Sequence, residues 1–349
     1  MTSFNIPPEV FAAYENLGVV NKIVSLDHGL INRTFRLESD QKMYILQEVS
    51  PIFDDGIHVD SMAVCCHLAQ HNMPAPNIYL TRLGEPFVRV FGRVFRVLNY
   101  LDGYSVNQIS SLTMAQEAGR ILGLFHLNLA DFSYQYQSQR RHKGDYLFHS
   151  ENLVMALKNH REHSFYQQVK PLADLMLSEL AELGRSLTTT PRHVHGDPKI
   201  SNILFGPKET AICLIDFDTL SQSGWSLEMA DALRSWANPH EEDVPDARVD
   251  LNIAEAALRG YALHMGGRLS DHELIELVIH SQAVSLCLAI RYATDVLNEC
   301  YFSFARHRFQ RAAEHNWLRA NAMYRLYQDF AEKKLILSQL VGDLLKKSA

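Results

Sequence analysis

The chain has 349 residues, of which 47% are hydrophobic and 21% charged; this is the composition of an ordinary globular protein and excludes disordered, collagen-like and simple coiled-coil chains. Asp and Glu number 40 against 33 for Lys and Arg, so the formal charge is −7 and general affinity for nucleic acid is not expected. The length predicts about two domains.

Strand signals dominate the first hundred residues. Apolar and alternating segments separated by polar turns predict a β-meander over residues 20–49. Apolar residues at helical spacing predict one helix over 58–71, which must end before Pro74 because proline cannot continue it. Two further strands are predicted at 86–91 and 93–100.

Helical periodicity prevails after a connection at 99–103. An apolar face runs from Ala118 to Phe125, and similar periodicity predicts helices in the segments 165–185, 252–265, 272–298 and 308–346. The exception is 193–220, in which the apolar run Ala211–Ile215 predicts a short strand. The expected fold class is α+β, with a small antiparallel-sheet lobe containing one helix at 1–100 and a larger, mainly helical lobe at 101–349.

The cysteines and the apolar runs predict the compartment. The five cysteines are odd in number and form no CxxC pair, which favours free thiols. The N-terminus lacks a basic and then apolar secretory pattern, and the longest apolar run, 283–290, is far shorter than a membrane-spanning helix. We therefore expect a cytoplasmic protein that does not bind membranes; the sequence does not indicate an oligomeric state.

One pair of motifs carries chemistry. Asp197 and Asn202 stand in a His-Gly-Asp-x-x-x-x-Asn segment, and Asp216 follows the short apolar strand in Ile-Asp-Phe-Asp. Phosphoryl transfer to an alcohol needs a carboxylate near the attacking hydroxyl and oxygen ligands for the Mg²⁺ on the nucleotide. The D-x-x-x-x-N spacing of kinase catalytic loops supplies these groups, and Asp197 to Asn202 matches it.

These motifs resemble the aminoglycoside phosphotransferase and choline kinase superfamily, a small-molecule branch of the protein-kinase-like fold. Within it the chain is most similar to the N-acetylhexosamine 1-kinases. That likeness is carried by segments in the family's order: His28–Asn32, Tyr44–Gln47, Ile215–Thr219, Ala230–Arg234, Ile290–Leu297, Tyr301-Phe302 and His315–Arg319. The resemblance implies a two-lobed kinase-like fold with a nucleotide-binding N-terminal lobe and a catalytic, substrate-binding C-terminal lobe.

The resemblance also implies roles for individual residues. Asp197 would be the catalytic base or the group that orients the acceptor hydroxyl. Asn202 and Asp216 would hold Mg²⁺, with Asp218 as a supporting acid or a further metal contact. Asn32 and the backbone at Gly29 would lie over the phosphates of ATP.

The remaining candidates concern phosphate charge and the substrate. Gln47 occupies the position at which kinases generally carry a lysine, so the phosphate-charge partner is open; Lys199 or a nearby arginine are candidates. Arg291 is the first candidate for the sugar pocket, and Asp231, Arg234 and Asp295 are further ones. Opposite charges three or four residues apart also pair on helix surfaces, which is an alternative explanation for these acids and arginines.

The expected activity is transfer of the γ-phosphate of ATP to the anomeric hydroxyl of an N-acetylhexosamine, and the expected partner is therefore a small molecule, a sugar. Choline, homoserine, an aminoglycoside or another sugar are alternative acceptors. A nucleotide-binding protein without catalysis is a third alternative, suggested by Gln47. His67 and His71 stand at a zinc-ligand spacing on a predicted helix, but the sequence shows no third ligand.

Overall fold

The structure is a computed structural model that describes residues 6–15, 17–26, 31–138, 144–184, 187 and 190–346. The chain divides into two compact units. The N-terminal unit comprises residues 1–103, 131–140 and 213–220, and the C-terminal unit comprises residues 104–130, 141–212 and 221–349. Two segments that follow residue 103 in the sequence thus pack with the N-terminal unit.

The N-terminal unit is built on one antiparallel sheet. Its helices and strands are α1 (Pro8–Ala12), β1 (Val20–Leu26), β2 (Arg33–Ser39), β3 (Met43–Val49), α2 (Gly56–Gln70), β4 (Ile78–Tyr79), β5 (Val88–Val90) and β6 (Arg93–Asn99). The strand order is β1-β2-β3-β6-β4, and β5 pairs with β6. Phe91 and Gly92, both at positive φ, turn the chain between β5 and β6, as tight hairpins require.

Alternation along the strands places one face of this sheet in the core. In β3, Tyr44 and Leu46 are fully buried, and the two residues that pair with Leu46 across the sheet, Phe35 and Val97, are buried with them. Removal of apolar side chains such as these from water is the main stabilising contribution to a folded unit. The β-meander predicted over 20–49 and the hairpin at 86–100 correspond to this sheet.

The C-terminal unit is mainly helical. Its helices are α3 (Leu112–Asn128), α4 (Tyr146–Asn159), α5 (Tyr166–Gly184), α6 (Trp225–Trp236), α7 (Leu251–Met265), α8 (Asp271–Asn298), α9 (Ala312–Glu332) and α10 (Lys334–Leu345). Short strands lie between α5 and α6: β7 (Arg192–Val194), β8 (Ile203–Phe205), β9 (Ala211–Leu214) and β10 (Ser221–Ser223). β7 pairs with β10 in antiparallel register.

The helix α8 is the central helix of this unit. Ser270 and Glu273 form a capping box that satisfies the first backbone donors of the helix. Its 28 residues are long and apolar enough to cross a membrane by length and composition, with a mean hydropathy of 1.5 over the best window, but 89% of that window is buried inside the protein. Such burial is typical of a core helix.

The helical periodicity over 308–346 corresponds to two helices rather than one. The first helix, α9, begins at Ala312, and the chain leaves helical geometry at Lys333 before α10 starts. The Lys333 ammonium bonds to the Val249 carbonyl and to the Asp329 carboxylate, 2.8 Å and 2.6 Å away. These contacts fix the break, and an apolar periodicity cannot reveal them.

Candidate functional site

The loop that carries Asp197 runs from β7 into a 3-10 turn at residues 200–202. Gly196, at φ 82°, adopts the left-handed conformation that glycine tolerates and turns the chain just before the aspartate. The Asn202 side-chain amide donates to the main-chain oxygen of Asp197 over 2.9 Å and to its carboxylate Oδ2 over 3.2 Å. The Lys199 ammonium lies 2.9 Å from the same Oδ2. The loop therefore brings together three of the predicted residues.

The helix α6 holds this loop on both sides of the aspartate. The Glu228 carboxylate accepts hydrogen bonds from the backbone N–H groups of His195 and Gly196, over 3.0 Å and 2.5 Å. Eight residues later, the Trp236 indole donates to the Pro198 carbonyl over 2.8 Å. Bonds to an ionised acceptor are about twice as strong as neutral ones, so Glu228 is the main anchor of the loop.

A buried chain of hydrogen-bonded polar groups contacts Glu228. The Nε2 of His126 lies 2.7 Å from Glu228, and its Nδ1 lies 2.8 Å from the Tyr261 hydroxyl. Burial raises the pKa of Tyr261 well above its usual value, so the phenol keeps its proton and stays available for hydrogen bonding. A carboxylate can only accept, so the imidazole donates to Glu228 from Nε2. The His126 ring also stacks on Trp225, with ring centroids 5.4 Å apart.

The sequence reasoning did not identify Glu228, His126 or Tyr261 as parts of the site. They lie on three different helices, α6, α3 and α7, and all three are almost completely buried. The sequence did contain one signal for them: Glu228 and His126 stand among apolar residues on the faces of α6 and α3 that pack in the core. Buried polar groups need partners, so such positions indicate a hydrogen-bonded network.

A small, open pocket adjoins the loop in the C-terminal unit. Its walls combine loop, strand and helix residues: Val194, Gly196, Pro198, Ser221, Ser223, Leu227, Glu228 and Asp231. Asp231 was predicted as a substrate residue, and the structure places it in this wall. Only 5% of its surface is exposed, so its carboxylate is held in a largely desolvated position.

Asp231 and Arg234 form a buried ion pair on α6. The guanidinium Nε lies 2.8 Å from Asp231, and its NH1 lies 2.9 Å from Glu242, which also accepts a hydrogen bond from the Tyr292 hydroxyl. Burial alone would lower the pKa of Arg234, but the two carboxylates raise it far above its usual range. Burial likewise acts to raise the pKa of Glu242, and Arg234 outweighs it, so this pKa is lowered. Arg234 and Glu242 therefore stay charged at neutral pH.

The last two turns of α8 carry the other two substrate candidates, Arg291 and Asp295, in different settings. The Arg291 guanidinium lies 5.8 Å and 5.5 Å from the ring centroids of Tyr301 and Phe302, within cation–π range. Asp295 instead accepts backbone N–H bonds from residues 300–302, each of 2.8–2.9 Å, and is 2% exposed. These bonds give Asp295 a role in shaping the loop that carries the two aromatic rings.

In the N-terminal unit, the Asp-Phe-Asp segment meets the sheet. Asp216 has a φ of 68° and a ψ of 62°. This left-handed conformation is uncommon for residues other than glycine, and the residues that adopt it tend to cluster at functional sites. Asp218 is buried, with Arg96 at 2.6 Å from one carboxylate oxygen and the Asn32 amide at 2.6 Å from the other. The predicted residues Asn32 and Asp218 thus bond directly to each other. Asn32 also accepts from the Ser50 backbone N–H over 2.9 Å.

Arg96 is the cation beside Gln47. The two residues face each other across β3 and β6, and the Arg96 Nε donates to the Gln47 amide oxygen over 2.9 Å. Burial lowers the pKa of His58 to about 4, and the nearby Arg96 guanidinium adds to this shift, so the imidazole is neutral at pH 7. An arginine thus sits next to the position where kinases generally have a lysine. The predicted phosphate contact at Gly29 lies outside the described residues.

The donor groups of the predicted metal ligands suit a hard divalent cation. Asn202 makes both of its bonds to Asp197 through the amide nitrogen, which leaves the amide oxygen as its ligand atom. Asp216 offers a carboxylate on a segment whose backbone conformation is uncommon. Amide and carboxylate oxygens are the ligands of Mg²⁺ and Ca²⁺ in proteins.

Comparison with known proteins identifies kinases that are similar to this chain in sequence and in structure. The chain is 21% identical over 289 residues to a homoserine kinase of Zymomonas mobilis subsp. mobilis, covering 82% of this chain and 84% of the relative. Among solved structures, it resembles the amicoumacin kinase hAmiN in complex with AMP-PNP, Ca²⁺ and Ami (TM-score 0.62, 14% identity, 92% and 96% coverage). It also resembles a microcompartment-associated aminopropanol kinase (TM-score 0.62, 15% identity, 93% and 97% coverage).

These structural neighbours confirm the predicted fold class, in which a small antiparallel-sheet lobe precedes a larger helical lobe. The family model of the phosphotransferase enzyme family (APH) matches residues 22–264, which include the Asp197 loop and the Asp-Phe-Asp segment. This match confirms the predicted membership in the aminoglycoside phosphotransferase superfamily. The chain therefore belongs to the phosphotransferase enzyme family and is a small-molecule kinase of that family.

Proposed function

We propose that this kinase transfers the γ-phosphate of ATP to the anomeric hydroxyl of an N-acetylhexosamine, with Asp197 as the residue that orients and deprotonates that hydroxyl. The observation that carries the assignment of Asp197 is its setting. The two residues that precede it, His195 and Gly196, are anchored by Glu228, and its carboxylate contacts Asn202 and Lys199. A carboxylate held in this way needs little reorganisation when the acceptor arrives.

Asp197 supplies the chemistry in this proposal through position and charge. Its Oδ2 accepts the proton of the acceptor hydroxyl as the hydroxyl oxygen attacks phosphorus and ADP leaves. The Lys199 ammonium lies 2.9 Å from this oxygen. Asn202 and Asp216 would hold Mg²⁺, which when bound neutralises charge on the phosphate oxygens. Arg96, beside Gln47, is our candidate for the cation that the third-strand lysine provides elsewhere.

The choice of acceptor depends on the C-terminal unit. Arg291 with Tyr301, which is 55% exposed, offers a flat aromatic surface beside a fixed positive charge. Such a surface suits a pyranose ring, which presents an apolar face and a rim of hydroxyl groups. Asp231, in the wall of the pocket, is our candidate acceptor of hydrogen bonds from sugar hydroxyls. The sequence segments that resemble those of the hexosamine kinases support the same acceptor.

Homoserine is the second candidate acceptor, because a homoserine kinase matches 82% of the chain. An amino acid carries a carboxylate, and an arginine binds a carboxylate with two parallel hydrogen bonds. Arg291 is compatible with this acceptor as well. A purely cationic acceptor such as choline is less compatible with binding beside Arg291, since like charges repel.

The test is a panel of acceptors with identification of the product. ATP consumption is measured with N-acetylglucosamine, N-acetylgalactosamine, L-homoserine and choline, and ³¹P NMR then distinguishes an anomeric phosphate from a primary-alcohol phosphate. The proposal expects an anomeric phosphate from at least one hexosamine. Turnover of homoserine without turnover of either hexosamine would replace the sugar with the amino acid and leave the role of Asp197 intact.

A further inference from the structure

The structure brings a third potential ligand to the histidine pair on α2. His67 Nε2 lies 3.2 Å from Asp131 Oδ1, and His71 Nε2 lies 3.8 Å from the same oxygen. The donor atoms of the three residues all lie within 4.8 Å of one another. Asp131 is 60 and more positions away in the sequence, which is why the histidine spacing alone predicted no complete site.

These distances suit a bound transition metal. Zn²⁺ binds imidazole nitrogen and carboxylate oxygen at about 2.0–2.1 Å, so two ligands of a tetrahedral ion stand about 3.3 Å apart. The His67–Asp131 distance of 3.2 Å lies close to that value, and the His71–Asp131 distance of 3.8 Å is about 0.5 Å longer. Histidines four residues apart on a helix face the same side, as zinc sites with this spacing require. Three protein ligands leave a fourth position for water.

Asp131 belongs to a segment that is fixed along α2; we call residues 131–138 the strap. Near its far end, the Asp60 carboxylate accepts hydrogen bonds from the Tyr134 hydroxyl and from the backbone N–H groups of residues 137 and 138, all of 2.8–2.9 Å. At its near end, the Phe132 ring packs on the His67 ring with centroids 4.7 Å apart. Asp131 is therefore presented to the histidines by backbone and side-chain contacts on its own segment.

We propose that His67, His71 and Asp131 form a binding site for a divalent transition metal of the Zn²⁺ type, which fastens the strap to α2. Two imidazoles select such an ion over Mg²⁺, which prefers oxygen ligands and keeps most of its waters. None of the three residues belongs to the predicted catalytic, nucleotide or substrate set. The site would therefore act on the N-terminal unit itself rather than in phosphoryl transfer.

The competing explanation is a surface ion pair between Asp131 and protonated histidine. Asp131 is 72% exposed and His71 is 35% exposed, and exposed pairs of this kind contribute little stability. An ion pair weakens with salt and needs no metal. A metal site binds one equivalent of Zn²⁺ and needs neutral imidazoles, so it releases metal on acidification.

The experiment uses the full-length protein after treatment with a chelator, without nucleotide. Isothermal titration with ZnCl₂ is expected to show one equivalent bound, and hydrogen exchange of the strap is expected to slow when Zn²⁺ is present. His71→Ala and Asp131→Asn should each weaken binding at least about tenfold, because each removes one of three ligands. MgCl₂ in place of ZnCl₂ should produce no slowing of exchange in the strap.

Two matched variants separate this site from other zinc ligands on the surface. His272 is 59% exposed and pairs with Glu276 one turn along α8, so His272→Ala is expected to leave the titration unchanged. Cys66 is an exposed thiol next to His67, and Cys66→Ser should also leave it unchanged. Three results would each overturn the proposal. They are no Zn²⁺ binding by the wild type, wild-type binding by His71→Ala and Asp131→Asn, and loss of binding in Cys66→Ser.

Discussion

Glu228 is the residue whose replacement tests the architecture of the Asp197 loop most sharply. We predict that Glu228→Gln lowers kcat about 100-fold and leaves KM for ATP unchanged. The side chain keeps its size, but the amide has only one oxygen. At least one of the backbone N–H groups of His195 and Gly196 then faces an NH₂ group in place of an acceptor.

The magnitude follows from the bonds that are lost. A hydrogen bond to a charged group contributes about 1.5–3 kcal/mol, and a buried donor left without a partner costs a similar amount. We therefore expect the free energy of unfolding of the C-terminal unit to fall by about 2–3 kcal/mol. The turn at Gly196, at φ 82°, loses its restraint, and a shift of Asp197 by about 1 Å is enough for a rate loss of about 100-fold.

The assay is steady-state phosphoryl transfer with the acceptor that the panel identifies, together with calorimetric unfolding. Glu255→Gln is the matched control: Glu255 forms an exposed pair with Arg259 on α7, and exposed pairs contribute little. It should leave both measurements unchanged. A Glu228→Gln protein with wild-type kcat and unfolding would refute the reasoning that this helix positions the catalytic aspartate.

Three further predictions concern packing and charge. A Cβ at Gly260 would lie 1.8 Å from the Gln116 carbonyl oxygen. Gly260→Ala should therefore lower the free energy of chemical unfolding by at least about 2 kcal/mol. Gly342 has open space around it, so Gly342→Ala is the control and should leave this free energy unchanged or raise it slightly. Burial acts to raise the pKa of Glu299, but bonds from Arg311, the Ala313 backbone and His163 lower it to about 2. The stability from Glu299 is therefore present above the unfolded pKa of about 4.3 and is lost as the pH falls through 2. Glu299→Gln should be less stable than wild type at pH 7 and equal to it below pH 2, and a constant difference would contradict this. Arg96→Met removes the charged partner of the buried Asp218 carboxylate and should lower the free energy of unfolding by about 3–5 kcal/mol. The double variant that also carries Asp218→Asn should recover part of this loss, and no recovery would contradict the pairing.

Local patterns in the sequence predicted most of the architecture. Alternation in β2 and β3 reflects a sheet with one buried face, and the apolar periodicity of α3, α7 and α8 reflects helices that pack in a core. The helices α4 and α6 were not assigned individually. In α6, the polar residues Glu228, Asp231 and Arg234 recur at helical spacing, but eleven of the twelve residues are buried, so this polar face contacts protein rather than solvent.

The functional residues that the sequence predicted are those that form a contiguous motif. Asp197, Lys199 and Asn202 lie within six residues of one another, and their contacts follow from the local turn. Arg96 and Glu228 were missed because their partners are distant in the sequence: Arg96 bonds to Asp218, and Glu228 bonds to the loop from another helix. Contacts of this range depend on tertiary packing, which a single sequence does not display.

The most direct test of the account is the turnover of Asp197→Asn, measured with ATP, Mg²⁺ and the best acceptor of the panel. Asparagine keeps the shape and can still bond to Asn202 and Lys199, but it cannot accept the proton of the hydroxyl. The account predicts a loss of kcat of about 100- to 10,000-fold with wild-type unfolding and unchanged nucleotide affinity. Wild-type turnover by a correctly folded Asp197→Asn protein would contradict it.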